Sequence, residues 1–562
     1  MFRKSRAYTQ PSLFSNIRFQ FSDSVAKEIE SPNKWYIQFH TQVTSQIDED
    51  LFRPLFNSAH GSPNSPIRVL IAMMVLKEAT GMSEVSFFED CRMNMKFHYA
   101  LGLLNFDDPI PTVATYHNLR RSMKKYEAET GIDLMEAVFQ KITKSQILEF
   151  GISGSKVRID TTLIGSNIKY LSRYELIHET LRVAYNKANK KTNILIDSIL
   201  SDEEQQLLLE LTKLSADNVT YSSSSEEIQA RLQKLGNIIY KIIRHIPSTF
   251  SEYMQVLHSV FHQQYEVIED EACLLPKEQL KASNIQSPHD TESHYHKKGE
   301  STVKGYTVGL FETCDPENGL NLLIGAKVEP ASVSDVDFVK PALEMSQEIL
   351  GQNIETLHSD GAFYSPENQD ICEQNGTTHI FGRMAGYASS LDYAFDEDGN
   401  LVVTCLKTNQ LIPAVRVNTK NPDAPPKWRI KTGKKPRYIT EEDIKSNILR
   451  KSQANFPKSV LNIRNNVEAS ICHVKQPCSN DKTRFRGIYK HKLWTFARCL
   501  WVNFRRILKY LNKIKPKTAP LYPIIQQVNI NEHYRLDIFS IFCILCIKTL
   551  NICRKMKLFL PQ

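Results

Sequence analysis

The sequence predicts a mixed α/β unit with flanking helices, preceded by an all-α N-terminal unit. Residues 60–150 repeat apolar side chains at helical spacing between clear helix start and stop residues. Residues 156–163 and 303–382 instead alternate short β-branched strand signals with amphipathic helices, which is the pattern of an α/β layer. The chain has 562 residues, of which 41% are hydrophobic and 23% charged, so we expect several globular domains rather than one core.

The N-terminal unit contains three helices with recognisable ends. The first ends at Gly81, and Ser83 is placed to cap the second. The third, TVATYHNLRRSMKKY, begins at Thr112 and carries Arg120 and Arg121 among other basic residues. This composition suits a helix that lies along DNA, and it suits a solvated basic helix face equally well, so both interpretations stay open.

A strand with an acidic residue in its middle opens the α/β unit. The run KVRIDTTL at 156–163 is rich in β-branched residues and contains Asp160. Residues from about 170 to 300 are then dominated by Leu, Ile, Lys, Glu and Gln at helical spacing. We expect this stretch to form a helical insertion with its own hairpin, and it shows no pattern that predicts chemistry.

Strand signals return from residue 303. The runs YTVGLFET and LNLLIGAKVEP are predicted as two strands joined by a turn, and DVDFVKPALEMSQEIL as the helix that follows. IETLHSDGAF is a further strand whose apolar run ends on Asp360, and THIFG is the last strand of the series. Residues 384–460 are rich in Pro, Asn and Lys and are predicted to be irregular, whereas residues 458–512 are predicted to be helical.

The aspartates Asp160 and Asp360 are the first candidates for chemistry. Each lies within or at the end of an apolar β run, where an unpaired buried carboxylate is energetically costly and therefore needs a cation. Lysine or arginine is the structural partner to expect. The functional alternative is a shared divalent cation, and a set of oxygen ligands suits Mg²⁺ or Mn²⁺.

A third acid, Glu468, lies between Arg464 and Lys475 in the segment LNIRNNVEASICHVKQP. The separations of four and seven residues place the three side chains on one face of a helix. Taken alone, this pattern also fits a row of surface ion pairs, which contribute little to stability.

Four stretches of the chain occur in an order that is known from one protein family. They run from about residue 50 to residue 510 and are SPIRVLIAMMVLKEATGMSEVSFFEDCRMNMKFHYALGL, RIDTTLIGSN, HSDGAFYSPEN, and RNNVEASICHVKQ followed by RFRGIYKHKLWTFARCLWVNFRRI. In these stretches the chain resembles bacterial insertion-sequence transposases of the DDE type, whose last acid lies in a tyrosine, arginine, glutamate, lysine signature. One residue departs from that signature, because Leu461 stands where tyrosine is expected, three residues before Arg464.

The resemblance implies a particular domain organisation. Residues 1–152 would form an N-terminal helical DNA-binding domain, and residues 153–518 an RNase H-like catalytic domain with a mixed sheet and flanking helices. The catalytic domain would contain the helical insertion at about 170–300 and a basic irregular insertion at about 384–460. Residues 519–562 would be a C-terminal tail of unknown role.

The resemblance also implies a site and a reaction. Asp160, Asp360 and Glu468 would be the catalytic residues and would bind two Mg²⁺ or Mn²⁺ ions, one activating the attacking oxygen and the other stabilising the leaving oxygen. Arg464 and Lys475 would neutralise phosphates of the bound DNA. The protein would nick transposon ends and then join the freed 3′-hydroxyl to target DNA, working as a homodimer.

Two alternatives to this function remain. One is a metal-dependent nuclease on the same fold that cuts DNA without joining it. The other is a DNA-binding protein whose catalysis has decayed, for which Leu461 and the atypical tail are the only hints. Because all three acids are present, this alternative ranks lowest, and the resemblance favours the transposase.

The positive charge is concentrated in two segments. The net charge is only +8, yet residues 482–517 hold twelve Lys and Arg and no acid, and residues 404–439 hold nine against one aspartate. The two segments therefore carry +20 and the rest of the chain −12. The aromatic side chains within the first segment fit a buried core better than a base-stacking surface. Its cations are the candidates for DNA contact, namely Arg484, Arg486, Lys490, Arg505 and Arg506.

The ends of the sequence and its cysteines predict the compartment. The N-terminus lacks the apolar segment of a signal peptide, and the eleven cysteines are scattered, so we expect a cytoplasmic, nucleoid-associated protein. The apolar run IFSIFCILCI at 538–547 is about half as long as a membrane span requires, so no membrane association is expected. Its Cys543 and Cys546 have no second ligand pair, which argues against a metal site.

Overall fold

A computed structural model describes residues 1–5, 14–57, 61–382, 389–396, 399–417, 426–431 and 435–514. The predicted tail at 519–562, with its apolar run and its cysteine pair, lies outside the described residues. Within the described ranges, no helix is both long and apolar enough to cross a membrane.

The N-terminal region is helical, as predicted. Ser83 and Thr112 cap their helices through side-chain oxygens, and Gly81 ends its helix in the left-handed conformation at φ +68°. The helices are α1 Asp23–Ile29, α2 Trp35–Gln42, α3 Ile67–Thr80, α4 Glu84–Met93, α5 Met95–Leu101, α6 Val113–Thr130 and α7 Leu134–Phe150. Every side chain from Val69 to Glu78 in α3 is buried, because other elements surround this helix instead of covering one face.

Strand β1, Lys156–Gly165, is followed by the predicted helical insertion. Ser172, Ser201 and Ser224 open three of its helices with reciprocal capping boxes. Its elements are α8 Arg173–Lys187, α9 Lys190–Ile199, α10 Asp202–Lys213, α11 Ala216–Ser222, α12 Ser225–His245, α13 Glu252–Gln264 and the hairpin β2 Tyr265–Ile268 with β3 Glu271–Leu274. The insertion buries a hydrophobic core of its own between residues 174 and 285.

The main sheet follows the insertion. Its further strands are β4 His294–Lys298, β5 Ser301–Thr313, β6 Leu323–Pro330, β7 Thr356–Ser359 and β8 Thr378–Phe381, with helices α14 Val339–Leu350 and α15 Pro366–Gln374 between them. β5 pairs antiparallel with β1, β4 and β6, whereas β7 pairs parallel with both β1 and β8. The sheet is therefore mixed, and β1 lies in its interior between β5 and β7.

The region predicted to be irregular, 384–460, forms a second sheet, so that prediction was wrong. Its described strands are β9 Leu391–Phe395, β10 Leu401–Cys405, β11 Leu411–Val417, β12 Lys427–Lys431 and β13 Pro436–Thr440, followed by helix α16 Glu441–Ala454. In β12, Trp428 and Ile430 are buried while Lys427, Arg429 and Lys431 are exposed. This two-residue alternation is a strand signal, but the strands are short and separated by Pro- and Asn-rich turns that obscured it.

The last described segment is helical, with an interruption that the sequence analysis did not predict. It contains α17 Lys458–Leu461, α18 Val467–Lys475 and α19 Ile488–Ile514. Arg464 lies in a 3₁₀ turn, Asn462–Asn466, and not on one continuous helix with Glu468 and Lys475. The aromatic side chains of 485–504 are mostly buried, which confirms their interpretation as core.

One hydrophobic core connects the N-terminal helices to the sheet. It includes side chains of α3 and α7, of β1 and β5, and of α19. α19 packs against α2, α3, α7, α18 and β6, so this helix joins the two predicted domains. The predicted boundary after residue 152 falls in the turn between α7 and β1, within this shared core.

Arg498 fixes α19 to two helix ends. Its guanidinium is 1% exposed and donates to the carbonyl oxygens of Glu78 at 3.0 Å and Val474 at 3.0 Å, and also to that of His473. These carbonyls belong to the last turns of α3 and α18, where no intrahelical donor is available. One side chain therefore caps both helices from inside the core.

Replacing this side chain should destabilise the whole fold. We expect Arg498→Met to lower the free energy of unfolding by about 3 kcal/mol or more, because several buried carbonyls lose their donors. Urea unfolding followed by tryptophan fluorescence measures the decrease. Arg505→Met is the matched control, because Arg505 is exposed on the same helix and hydrogen-bonds to the exposed Gln476 side chain at 3.4 Å instead of to buried carbonyls. Equal stability of the two variants would contradict the capping role.

Candidate active site

The structure brings Asp160 and Asp360 together at the centre of the main sheet. β1 and β7 are parallel neighbours, and Arg158 of β1 is paired with His358 of β7. Two residues further along, β1 carries Asp160 and the segment after β7 carries Asp360, so the two aspartates occupy neighbouring positions. A single group joins the two carboxylates, because the Arg464 Nη2 atom lies 3.5 Å from Asp160 Oδ2 and 3.5 Å from Asp360 Oδ2.

The two carboxylates differ in their surroundings. The Asp160 side chain is 14% exposed and that of Asp360 46% exposed. Burial raises the pKa of Asp160 above its ordinary value, and the nearby Asp360 carboxylate adds to this, while the Thr161 N–H and Arg464 act in the opposite direction. The structure thus keeps a partly buried carboxylate beside a second acid, which favours the binding of positive charge at this position.

Glu468 is not part of this pair in the structure. It is exposed in the first turn of α18, whose Val467, Ser470 and Val474 are buried towards the protein. Among the residues that the structure describes, no group of three His, Cys, Asp or Glu side chains is close enough to hold a metal ion. Two of the three predicted acids are therefore assembled, and the third lies on the neighbouring helix.

Lys475 connects the other end of α18 to the sheet. Its Nζ atom lies 2.7 Å from Asp481 Oδ1, 3.4 Å from Thr162 Oγ1 and 3.3 Å from the carbonyl oxygen of Leu163. The side chain is 18% exposed, so most of its surface is already covered by protein. In this arrangement Lys475 positions α18 along the same strand that carries Asp160.

Two residues predicted to contact DNA make close contacts within the protein instead. Arg120 is buried, with its guanidinium 5.6 Å from the Tyr116 ring centre and 5.5 Å from that of Phe485. Arg506 lies 2.8 Å from Glu312. We therefore do not propose that Arg120 and Arg506 contact DNA. The sequence could not reveal this, because both positions lie on helices with basic residues around much of their circumference.

Of the other cations predicted to contact DNA, some hydrogen-bond to the protein backbone and others are exposed to solvent. Arg484 donates to the carbonyl oxygen of Met82 at 2.7 Å and holds its loop against the end of α3. Arg486 donates its Nε hydrogen to the Asn167 carbonyl oxygen at 2.7 Å and is otherwise exposed. Arg121, Lys490 and Arg505 are exposed.

Lys490 marks a basic surface that joins α6 to the start of α19. Burial lowers its pKa, and the positive charges of Arg120, Lys124 and Arg486 lower it further. These three cations are therefore close enough to Lys490 to repel its charge. We call the exposed members, Lys124, Arg486 and Lys490, the α6–α19 basic surface.

The sequence analysis did not predict a buried ionic cluster that lies next to Asp160 along β1. Glu312 of β5 contacts Arg158 of β1 at 2.5 Å and Arg506 of α19 at 2.8 Å, and it accepts the hydroxyl hydrogen of Ser470 of α18 at 2.5 Å. The available signals were a charged residue within each of two apolar strands, Arg158 in KVRIDTTL and Glu312 in YTVGLFET. No pattern along the chain pairs residues that lie 154 positions apart.

Comparisons with known proteins agree with the sequence motifs. The family described as transposase domain (DUF772) matches residues 25–122, and the family described as transposase DDE domain matches residues 280–504. The second match includes Asp360, Arg464, Glu468 and Lys475, whereas Asp160 lies between the two matched segments. No curated protein matches the chain.

One solved structure with weak similarity is a piggyBac transposase synaptic complex with hairpin DNA, determined by cryo-EM. It shares 9% sequence identity with this chain and has a TM-score of 0.29, with 88% of this chain and 78% of that chain covered. A similarity this low does not show a shared fold. The chain carries a transposase domain followed by a transposase DDE domain.

Proposed function

We propose that the protein nicks transposon ends in a metal-dependent reaction and joins the freed 3′-hydroxyl to target DNA. The observation that carries this proposal is the convergence of Asp160 and Asp360, from neighbouring parallel strands, on one cationic group. This pair lies at the centre of the sheet, on a chain that carries a DDE domain. The reaction needs neither a covalent protein intermediate nor ATP, because both steps are transfers of a phosphoryl group between oxygens.

The strand arrangement supports an RNase H-like catalytic domain. In the order β6, β5, β1, β7 and β8, the first three strands alternate in direction and the last two run parallel to β1. The first acid then lies on the central strand and the second just beyond its parallel neighbour. The helical insertion enters between β1 and β4, and the second sheet enters between β8 and α17, so neither interrupts the strands that carry the aspartates.

The two aspartates have the donor chemistry of a divalent metal site. Asp160 and Asp360 already point to one position, where Arg464 supplies positive charge, and carboxylate oxygens are the ligands that Mg²⁺ and Mn²⁺ prefer. Asp160, Asp360 and Glu468 would hold two such ions. When bound, the ions would activate the attacking oxygen and stabilise the leaving oxygen of the phosphoryl transfer.

The protein's own residues prepare the site for DNA. Arg464 offsets the charge of the two aspartates and is available, at 22% exposure, to pair with a phosphate in their place. Lys475 holds α18 against β1. The α6–α19 basic surface, together with Arg121 and Arg505, offers exposed cations for the DNA backbone. Transposon ends and target DNA are the proposed partners, and a homodimer is the proposed active form.

Removing the second acid tests the site. We expect Asp360→Ala to abolish Mg²⁺-dependent nicking of the DNA that flanks the coding region, because only one carboxylate of the pair remains, while binding to that DNA stays nearly unchanged. Gel assays of nicking and of binding measure the two effects separately. Asp370→Ala is the control, because Asp370 is exposed on the following helix. Full cleavage by Asp360→Ala would overturn the assignment.

A second measurement distinguishes a transposase from a nuclease. We expect the protein to join pre-cut ends that carry a free 3′-hydroxyl to a supercoiled plasmid, because the joining step uses the same metal-dependent geometry as nicking. Ends that lack the 3′-hydroxyl serve as the control and should give no joined product. Nicking of the flanking DNA without any joined product from pre-cut ends would instead favour the nuclease.

The α6–α19 basic surface has a measurable salt signature. We expect Lys124→Ala combined with Lys490→Ala to make the slope of log affinity against log salt shallower by about 0.9 for each phosphate that is no longer neutralised, or up to about 1.8 in total. Titration of flanking DNA at several salt concentrations measures the slope. Lys340→Ala, an exposed lysine on α14, is the matched control. An unchanged slope in the double variant would place DNA elsewhere on the protein.

A further inference from the structure

We propose that the Glu312 cluster is a positioning device that sets where the Glu468 helix lies relative to the two aspartates. The proposal rests on the proposed function, because it concerns the third acid of the same site. The cluster consists of Glu312, Arg158, Ser470 and Arg506, one residue each from β5, β1, α18 and α19. It thus connects the strand of the first acid to the helix of the third.

The cluster leaves Glu312 with no free oxygen. Oε1 contacts Arg158 at 2.5 Å and Arg506 at 2.8 Å, and Oε2 accepts the Ser470 hydroxyl hydrogen at 2.5 Å. Arg506 also donates to the Ser470 hydroxyl oxygen at 2.6 Å. Glu312 and Ser470 are at most 1% exposed. Because both carboxylate oxygens are occupied, Glu312 acts through these partners and is not a metal ligand in our proposal.

Two of the three acids lie two residues from a member of the cluster. Arg158 precedes Asp160 by two positions on one strand, so both side chains point to the same face of the sheet. Ser470 follows Glu468 by two positions on α18. Arg158 also donates to the carbonyl oxygen of Ile463 at 3.0 Å, directly before Arg464. The cluster therefore holds three parts of the site at once, namely β1, the Arg464 turn and α18.

The ionic character of the cluster is the reason to assign it a positioning role. Removing two guanidinium groups and a carboxylate from water is costly, and packed apolar side chains of similar volume are often at least as stabilising. Apolar packing, however, tolerates small shifts, whereas the fork of Arg506 must reach Glu312 and Ser470 together. The contacts accordingly restrict the sliding and rotation of α18 on the sheet.

A suitable variant loosens the position of α18 while it leaves the ion pairs of the cluster in place. In Ser470→Ala the charges remain paired, but α18 no longer bonds to Glu312 and Arg506 through this hydroxyl. We expect about tenfold weaker binding of Mn²⁺ to the full-length protein, because α18 would no longer hold Glu468 at one position relative to the two aspartates. Tenfold is the low end of the loss seen when outer contacts of a metal site are removed. Electron paramagnetic resonance of free Mn²⁺ measures binding without turnover. Nicking should fall at low Mn²⁺ and recover at saturating Mn²⁺.

The matched control is Ser346→Ala. Ser346 is also a fully buried helical serine, on α14, but its hydroxyl has no hydrogen-bond partner among the described residues. We expect this variant to bind Mn²⁺ like the wild type, and both variants to bind flanking DNA normally. Arg506→Lys is a second test, because lysine keeps the positive charge beside Glu312 but lacks the fork that also reaches Ser470. We expect it to weaken Mn²⁺ binding in the same direction as Ser470→Ala.

Asp160→Asn distinguishes the failure of this inference from the failure of the proposed function. If Asp160→Asn abolishes Mn²⁺ binding and Ser470→Ala leaves it unchanged, the positioning role is wrong and the metal site stands. If Asp160→Asn leaves Mn²⁺ binding unchanged, the metal site is wrong and the positioning role falls with it. Weakened binding in Ser470→Ala and Arg506→Lys, with Ser346→Ala unaffected, supports the proposal.

Discussion

The buried guanidinium of Arg498 is the contact on which the arrangement of the protein depends. It lies where the last turns of α3 and α18 meet α19, and it supplies donors to carbonyl groups that have none within their own helices. α3 belongs to the N-terminal helices, α18 carries Glu468, and α19 packs on β6 of the main sheet. These contacts are made at one buried point, and the N-terminal helices and the main sheet share one hydrophobic core.

Arginine side chains with partners inside the protein also surround the candidate site. Arg464 contacts both aspartates, and the Glu312 cluster includes Arg158, two residues before Asp160 on β1. Burial and the nearby Arg158 and Lys156 lower the pKa of His358 to about 4, so this histidine is neutral near pH 7 and adds no charge to the cluster. Glu468, in contrast, is exposed on α18.

The two insertions leave the site undisturbed because each folds around a core of its own. The helical insertion packs its apolar side chains between residues 174 and 285, and the second sheet packs its own between residues 391 and 444. Both enter at connections between elements of the main sheet, where added length costs little conformational entropy. The net charge of a segment also overstates the number of cations that the segment offers to a ligand. In the basic segment 482–517, for example, Arg498, Arg506 and Lys492 have partners within the protein.

Local signals in the chain were enough to predict three of the seven helices described in the N-terminal region, with their caps, the order of strands and helices around Asp160 and Asp360, and the helical insertion. Capping residues, turn residues and hydrophobic periodicity are properties of short segments, so they can be read without the fold. The family resemblance added the candidate acids, and the matched domains confirmed the transposase assignment. The short strands of the second sheet, between Pro-rich turns, had too weak a periodicity to be predicted.

Packing in three dimensions settled the rest. It determines which cations face solvent and which ones, like Arg120 and Arg506, have partners within the protein. It also brings Arg158, Glu312, Ser470 and Arg506 together. Such contacts join residues far apart in the chain, and their geometry depends on how whole elements pack, which no local pattern encodes.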